Sequence, residues 1–195
     1  LGDVYKRQLQ LSASIGIALI PDHGDSAEDL LKRADIALYR VKERGRDGIA
    51  FFEQSMQVAA SERLAIESEL RRAISKGQFC LHYQPQFDYR SQRVEGAESL
   101  LRWQHPERGL IGPGAFIDFL EQSSLILEAG RQILHQACAY IAELLEAGLI
   151  TSHFRLSVNI SPRQFRHASF VDDVLGAIAL HDIPTSCLRR EIPEG

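Results

Sequence analysis

The sequence predicts an α/β fold, in which strands alternate with helices along most of the chain. Residues 94–103 alternate between polar and apolar side chains with the period of a strand. Residues 125–147 instead carry apolar side chains at helical spacing. The predicted elements mostly follow the order strand, helix, strand, which favours parallel pairing because parallel strands need a long crossover connection.

The N-terminal part is predicted to form a strand, a helix and a second strand. Residues 9–20 alternate as a strand does, and a helix capped by Ser26 then runs to Gly45. Residues 49–52 form the second strand. The leading residues 1–8 match neither neighbouring pattern. We expect them to be a non-native leader of the kind that adaptor sequence or an assembly edge produces.

A connecting helix and a second set of alternating elements follow. Residues 61–76 carry an apolar stripe that includes Leu70 and Ile74, and Gly77 is the expected helix stop. Further strands are predicted over residues 79–86, 94–103, 154–160 and 188–192, and helices over residues 114–122, 125–147 and 170–180.

Composition excludes several classes of protein. The 195 residues are 45% hydrophobic and 25% charged, which is typical of a globular protein. A net charge of -4 without a basic run argues against binding of a nucleic acid polymer. No apolar run approaches about 18 residues, so we expect no membrane contact by this segment. Three cysteines without C-x-x-C spacing favour a cytoplasmic location, with any membrane tether in a region upstream of this chain.

One strand places charged side chains on an otherwise apolar face. Glu98, Leu100 and Arg102 fall on the same side of the strand over residues 94–103, because side chains alternate between the two faces. Unpaired charge is costly to bury, so the carboxylate and the guanidinium need partners. A structural salt bridge and a site for a metal-bound phosphate both satisfy this condition, and the strand alone leaves both open.

Four sequence blocks that begin at Leu81, Glu95, Gly112 and Ser157 read LHYQPQ, EGAESLLRW, GPGAFI and SVNIS. In this order and spacing they resemble the EAL domain, the bacterial cyclic di-GMP phosphodiesterase family. The signature triplet Glu-Ala-Leu is here Glu98-Ser99-Leu100. Because Ser99 lies on the face away from Glu98, this substitution alters the literal motif more than its chemistry.

The resemblance implies a fold, a metal and a ligand. The expected fold is a partial TIM-like (β/α) barrel with an antiparallel first strand. Residues 78–195 would form it as the N-terminal half of an EAL domain, and residues 56–77 would be the connecting helix before it. The implied metal is Mg²⁺ or Mn²⁺, and the implied ligand is cyclic di-GMP. The residues implied are Glu98 for catalysis, Glu98, Asn159 and Glu191 as metal ligands, and Gln84, Leu100 and Arg102 for substrate binding.

Several of these assignments have structural alternatives. Asn159 shares a strand face with Ser157, so it is either a metal ligand or a hydrogen-bonded interior amide. Gln84 either lies near the nucleotide or satisfies backbone groups at a strand end. Glu191 is followed by Pro193 where the family has threonine, and proline removes a backbone donor. The seven histidines show no H-x-x-x-H or H-E-x-x-H spacing, so none is assigned to a metal.

Residues 9–55 resemble the C-terminal end of a GGDEF domain, the diguanylate cyclase family. The similarity lies in Ser14-Ile15-Gly16-Ile17-Ala18, in the stretch from Ala34 to Tyr39, and in Lys42 and Gly45-Arg46-Asp47. The catalytic turn of that family lies upstream of these residues, so we expect no cyclase activity from this chain. Lys42 and Arg46 match ligand-contacting positions of the family, and solvated cations at a helix C-terminus are the alternative.

The resemblance therefore implies a fragment of a phosphodiesterase that hydrolyses cyclic di-GMP to pGpG. We expect the fragment itself to be inactive, because the Asp pair, the Lys and the later Glu of the family fall beyond Gly195. Two alternatives stay open. One is a degenerate domain that binds cyclic di-GMP as a receptor, and the other is a signalling module that forms a homodimer through the connecting helix.

Overall fold

A computed structural model describes residues 12–90 and 92–192. The expected leader at 1–8, the first residues of the strand expected at 9–20, and Pro193 lie outside the described residues. The chain divides into two compact units, Leu1–Ala65 and Ile66–Gly195.

The first unit contains the predicted strand, helix and strand. These are β1 (Ser14–Ile17), α1 (Ala27–Glu43) and β2 (Gly48–Phe51), and the two strands pair in parallel. The Ser26 hydroxyl accepts a hydrogen bond from the backbone N–H of Asp29 at 3.1 Å, which confirms the predicted N-cap. The predicted helix stop at Gly45 lies two residues beyond the observed end.

Close packing of β1 on α1 depends on Gly16. A side-chain Cβ at this position would lie 2.1 Å from the carbonyl oxygen of Ala34 and 2.3 Å from the backbone nitrogen of Leu38. Both obstacles are backbone atoms that cannot rotate away, so only glycine lets the strand approach the helix this closely. Lys42 lies in the last turn of α1 and Arg46 beyond it, and both are exposed.

Helix α2 spans Gln54–Ser75, so it begins before the expected residue 61. The added turns contain Gln, Met and Ala and no helix breaker, which explains the earlier start. Its later residues belong to the second unit, where Leu70, Ala73 and Ile74 are buried as the apolar stripe predicts. Gly77 follows with a φ of 62°, a conformation that suits a helix stop.

The second unit is built on one sheet of five strands. They are β3 (Phe79–Phe87), β4 (Val94–His105), β5 (Gly109–Ile111), β6 (Arg155–Asn159) and β7 (Leu188–Glu191). The main strand order is β3-β4-β6-β7, and β5 pairs separately with β4. Strand β3 runs antiparallel to β4, whereas β4, β6 and β7 are parallel. The expected TIM-like barrel is not confirmed, because the strands of the described residues form an open sheet and close no barrel.

Besides the later residues of α2, the described part of the second unit contains the α-helices α3 (Ile117–Gln122), α4 (Leu125–Glu146), α5 (Pro162–Phe165) and α6 (Phe170–Leu180). Helices α4 and α6 pack together, and α4 also packs on β3 and β6. A core forms between these helices and one face of the sheet. Its fully buried members include Leu134, Ala137, Cys138, Ile141, Leu156, Val158, Val174 and Ala177.

A second core lies at the start of the sheet, where the rings of Phe79, Trp103 and Phe116 meet. Their centroids are 5.5 to 6.2 Å apart in tilted or edge-on arrangements, which suit aromatic quadrupoles. The C-terminal half of α2 adds Leu70 and Ile74 to this cluster. Across the described ranges, no helix is both long and apolar enough to cross a membrane.

A glycine in helix α4 leaves room for α5. Ser161 and Gln164 form a capping box at the start of α5, with bonds of 3.1 and 3.2 Å between each side chain and the other residue's backbone N–H. A Cβ on Gly130 of α4 would lie 1.9 Å from Nε2 of Gln164. Gly130 therefore creates the space in which the capping side chain lies.

We expect Gly130→Ala to destabilise the protein by about 1 kcal/mol, because displacing Gln164 breaks the capping box and outweighs the gain in helix propensity. The matched control is Gly176→Ala in α6, where an added Cβ meets no atom within 4 Å. That control should stabilise the protein by about 0.5–1 kcal/mol. Urea unfolding followed by circular dichroism measures both, and equal effects of the two substitutions would contradict the role of Gly130.

A half-buried phenol links β3 to α4. The rings of Tyr83 and Tyr140 stack with centroids 3.9 Å apart. Burial raises the pKa of the Tyr83 phenol from its ordinary 10.0 to about 12, and the nearby Tyr140, Glu143 and Cys80 add to the rise. The folded state thus keeps this proton to a higher pH than the unfolded chain does.

We therefore expect the free energy of unfolding to fall as the pH rises from about 10 to about 12, because the unfolded chain then binds fewer protons at this site. Below pH 10 the contribution of Tyr83 is fully present. Tyr83→Phe removes the titrating group and should flatten this part of the pH profile, measured by urea unfolding. Tyr89→Phe is the control, since Tyr89 is 89% exposed. Parallel profiles for wild type and Tyr83→Phe would disprove the coupling.

Candidate functional site

The two faces of the sheet differ in chemistry. One face carries the apolar side chains that pack under α4 and α6, and the other carries most of the polar residues singled out in the sequence. Directly paired residues lie on the same face, and Gln84 pairs with Glu98, which pairs in turn with Ser157. Asn159 pairs with Glu191 further along the same face. The register therefore assembles one polar surface from four strands.

Glu98 and Asn159 are in direct contact across β4 and β6. The Nδ2 atom of Asn159 donates a hydrogen bond to Oε1 of Glu98 at 2.8 Å, although the two residues lie 61 positions apart in the sequence. Glu98 is half-buried and Asn159 is exposed. This hydrogen bond fixes the position of the Glu98 carboxyl group relative to β6.

Glu191 is held at the end of β7 by two neighbours. Its Oε1 atom accepts a hydrogen bond from the Ser157 hydroxyl at 2.9 Å and lies 3.5 Å from Nε of Arg189. The sequence interpretation gave neither Ser157 nor Arg189 a functional role. The signal that could have found them is strand alternation, since each lies two residues before a predicted ligand and therefore on the same face.

Arg102 does not pair with Glu98. Its Nη1 atom donates to the carbonyl oxygen of Leu101 at 2.8 Å, and no ion pair joins it to Glu98 in the part of the chain that the structure describes. The salt-bridge hypothesis is therefore not supported. Arg102 pairs with Cys80 in the register, and Leu100 pairs with His82. The polar surface thus offers a guanidinium that is not committed to Glu98.

A cavity of about 290 Å³ adjoins the polar surface. Leu100 and Asn159 lie at its wall beside Ser161 and Gln164 of the capping box. Most of the remaining wall is apolar and comes from β3, β4, β6, α3 and α4. An apolar cavity beside a few polar groups has the general character of a small-molecule site.

Glu98, Asn159 and Glu191 fit a hard divalent cation by donor type. They offer two carboxylates and one carboxamide oxygen on one face of three adjacent parallel strands, and oxygen is the ligand that Mg²⁺ and Mn²⁺ prefer. A half-turn of the Asn159 amide would exchange Nδ2 for Oδ1. Among the described residues, no three His, Cys, Asp or Glu side chains form a metal-binding group.

Comparison with protein families gives two matches. The EAL domain model matches residues 67–195. The diguanylate cyclase GGDEF domain model matches residues 3–48.

Curated relatives and solved structures agree with these matches. The chain is 39% identical over 191 residues to the bifunctional diguanylate cyclase/cyclic di-GMP phosphodiesterase MucR of Pseudomonas aeruginosa. This match covers 98% of this chain and 28% of MucR. It is 36% identical over 188 residues to the cyclic di-GMP phosphodiesterase NbdA of the same species, covering 96% of this chain and 24% of NbdA. The chain thus spans about a quarter of the length of these relatives. The solved structure of the MucR phosphodiesterase in complex with cyclic di-GMP superposes with a TM-score of 0.63 at 37% identity, covering 67% of this chain and 52% of that chain.

Ser99, which replaces alanine in the signature triplet, has a structural role. It is 3% exposed, lies on the helix-packed face, and donates a hydrogen bond from its hydroxyl to the carbonyl oxygen of Ser157 at 2.9 Å. This bond joins β4 to β6 beneath the polar surface.

We expect Ser99→Ala, which restores the triplet of the family, to lower the free energy of unfolding by about 1 kcal/mol through loss of this buried bond. Any affinity of the polar surface for Mn²⁺ should stay unchanged, since the hydroxyl faces away from Glu98. Thermal unfolding and isothermal titration calorimetry test the two halves of the prediction. The control substitution is Ser186→Ala, since Ser186 is exposed. Loss of Mn²⁺ binding in Ser99→Ala would show that the triplet serine acts on the site.

Proposed function

This chain belongs to the EAL domain family, and from that membership we propose that it is part of a metal-dependent phosphodiesterase that hydrolyses cyclic di-GMP to pGpG. The observation that carries the proposal is the convergence of Glu98, Asn159 and Glu191 on one face of adjacent parallel strands. The names of MucR and NbdA, and the cyclic di-GMP complex of MucR, support the choice of substrate.

We propose that these three residues hold a divalent cation, Mg²⁺ or Mn²⁺, through their side-chain oxygens. When bound, that cation would polarise a phosphate oxygen and lower the pKa of a water molecule. Glu98 is the residue that we place nearest to the reacting phosphate, because it lies on the same face of β4 as Leu100 and Arg102, the residues assigned to substrate binding. Ser157 and Arg189 position Glu191 through the hydrogen bond and the ion pair described above.

Substrate binding is assigned to Gln84, Leu100 and Arg102. Arg102 lies on the same face of β4 as Glu98, so its guanidinium can turn from the Leu101 carbonyl to a ligand phosphate. Leu100 lies between these residues and also at the wall of the cavity, which suits contact with a flat nucleobase. Gln84 is exposed and pairs with Glu98, a position from which its amide can reach a bound nucleotide.

The organisation of the chain is also a proposal. We infer that residues 9–55 are the end of a GGDEF domain, that residues 56–77 connect it to the next domain, and that residues 78–195 begin an EAL domain. A homodimer through the connecting helix is compatible with this division. The helix exposes Val58 and Leu64, which are 51% and 69% accessible.

A receptor that binds cyclic di-GMP without hydrolysis is the second candidate. The observation that favours it is the internal pairing of both carboxylates, Glu98 with Asn159 and Glu191 with Ser157 and Arg189. These contacts satisfy the site without a cation, so it can keep its shape as a pure binding surface.

We expect Glu98→Gln in the complete gene product to lower the rate of pGpG formation by at least about 100-fold. Even residues that only support metal ligands cost 10–100-fold when changed, so a direct ligand should cost no less. Glu95→Gln is the matched control, because Glu95 is an exposed carboxylate on the opposite face of the same strand. Chromatographic separation of cyclic di-GMP from pGpG, in the presence of Mg²⁺ or Mn²⁺, gives the rates.

Binding measurements separate the two candidates. If wild type binds cyclic di-GMP and returns it unchanged with either cation, the enzyme proposal fails and the receptor proposal gains support. If Glu98→Gln keeps the wild-type rate, Glu98 is not a metal ligand.

A further inference from the structure

Two histidines from separate helices meet at the surface of the second unit. His135 lies in the middle of α4, and His181 is the C-terminal cap of α6. Nδ1 of His135 is 3.4 Å from Nε2 of His181, and the ring centroids are 5.6 Å apart with an angle of 62° between the planes. Both residues are half-buried, so packing of the two helices limits how far the rings can move apart.

The separation of the two nitrogens is long for a hydrogen bond, since N–H donors and their acceptors are commonly about 2.9–3.0 Å apart. It matches the distance between two ligands of one tetrahedral metal ion. With Zn–N bonds of about 2.0–2.1 Å and a tetrahedral angle, two coordinating nitrogens lie about 3.4 Å apart. The two nitrogen atoms therefore already have the separation that a shared zinc ion requires.

The electrostatic surroundings favour a cation at this point. His181 ends α6, where its backbone N–H donates to the carbonyl oxygens of Ala177 and Ala179. The C-terminal end of a helix carries partial negative charge, which stabilises a nearby positive ion. Imidazole nitrogen is a ligand suited to Zn²⁺, Ni²⁺ and Cu²⁺, whereas Mg²⁺ prefers oxygen.

We propose that His135 and His181 form a two-histidine binding site for a divalent transition-metal ion of the Zn²⁺ type, with water completing the coordination. The site would clamp α4 to the end of α6. It is separate from the oxygen donors of Glu98, Asn159 and Glu191 in residues and in ligand type. The two histidines are 46 positions apart, which is why motif spacing gives no sign of them.

Calorimetric titration of the full chain with ZnCl₂, in buffer saturated with Mg²⁺, tests the proposal. We expect titration with Zn²⁺ to show one binding event, and titration with additional Mg²⁺ to show none. His135→Ala and His181→Ala should each weaken this event by at least about tenfold, because each removes one of two protein ligands. His153→Ala is the matched control, since His153 is exposed in the turn before β6, and it should bind Zn²⁺ as wild type does. Unchanged Zn²⁺ affinity in both site variants would overturn the proposal.

A measurement on the wild-type chain covers the case in which a variant fails to fold. Long-range ¹H–¹⁵N spectra of the histidine rings, recorded with and without Zn²⁺, identify which rings bind metal. We expect the spectra of two of the seven histidines to change together, with the coordinating nitrogens being Nδ1 of one ring and Nε2 of the other. A change confined to other rings, or no change, would equally overturn the proposal.

Discussion

The pairing of β4 on both of its sides is the constraint on which the rest of the second unit depends. Strand β4 runs antiparallel to β3 and parallel to β6, and its register is fixed because Ser99 and Trp103 are buried on one face. A slip of one residue would exchange the two faces and bury Glu98 under the helices. The hydrophobic packing of α4 and α6 therefore places the polar surface, although these helices contribute little to its chemistry.

The carboxyl groups of the polar surface have partners within the protein. Glu98 accepts from Asn159, while Glu191 accepts from Ser157 and lies beside Arg189. Hydrogen bonds to charged groups are worth about 1.5–3 kcal/mol when buried, and solvent reduces this for partly exposed groups such as these. These contacts fix the positions of the two carboxyl groups. A cation that binds here would replace hydrogen-bond partners of side chains that are already in place. Binding would therefore require little reorganisation of the site.

Most elements were predictable from local pattern, whereas β5 and α5 were not. Helices α1, α4 and α6 and strands β3, β4, β6 and β7 lie close to their predicted ranges, because each has a recognisable periodicity or an apolar run between turn residues. Strand β5 has three residues and exists because the turn at Gly109, with a φ of 70°, returns the chain onto β4. Helix α5 depends on a capping box and on the space beside Gly130, which is a tertiary contact.

The sequence by itself determined which residues share a face, where most elements lie, and the family to which the chain belongs. Local periodicity and ordered motifs are sufficient for these, since each pattern or motif occupies a short stretch of the chain. Only the tertiary structure decided that Glu98 contacts Asn159, that Ser157 and Arg189 hold Glu191, and that the sheet of the described residues is open. It also brought His135 to His181. These contacts join residues that strand order and helix packing bring together across 34 to 61 positions, apart from the local pair of Arg189 and Glu191, and spacing along the chain does not encode such distances.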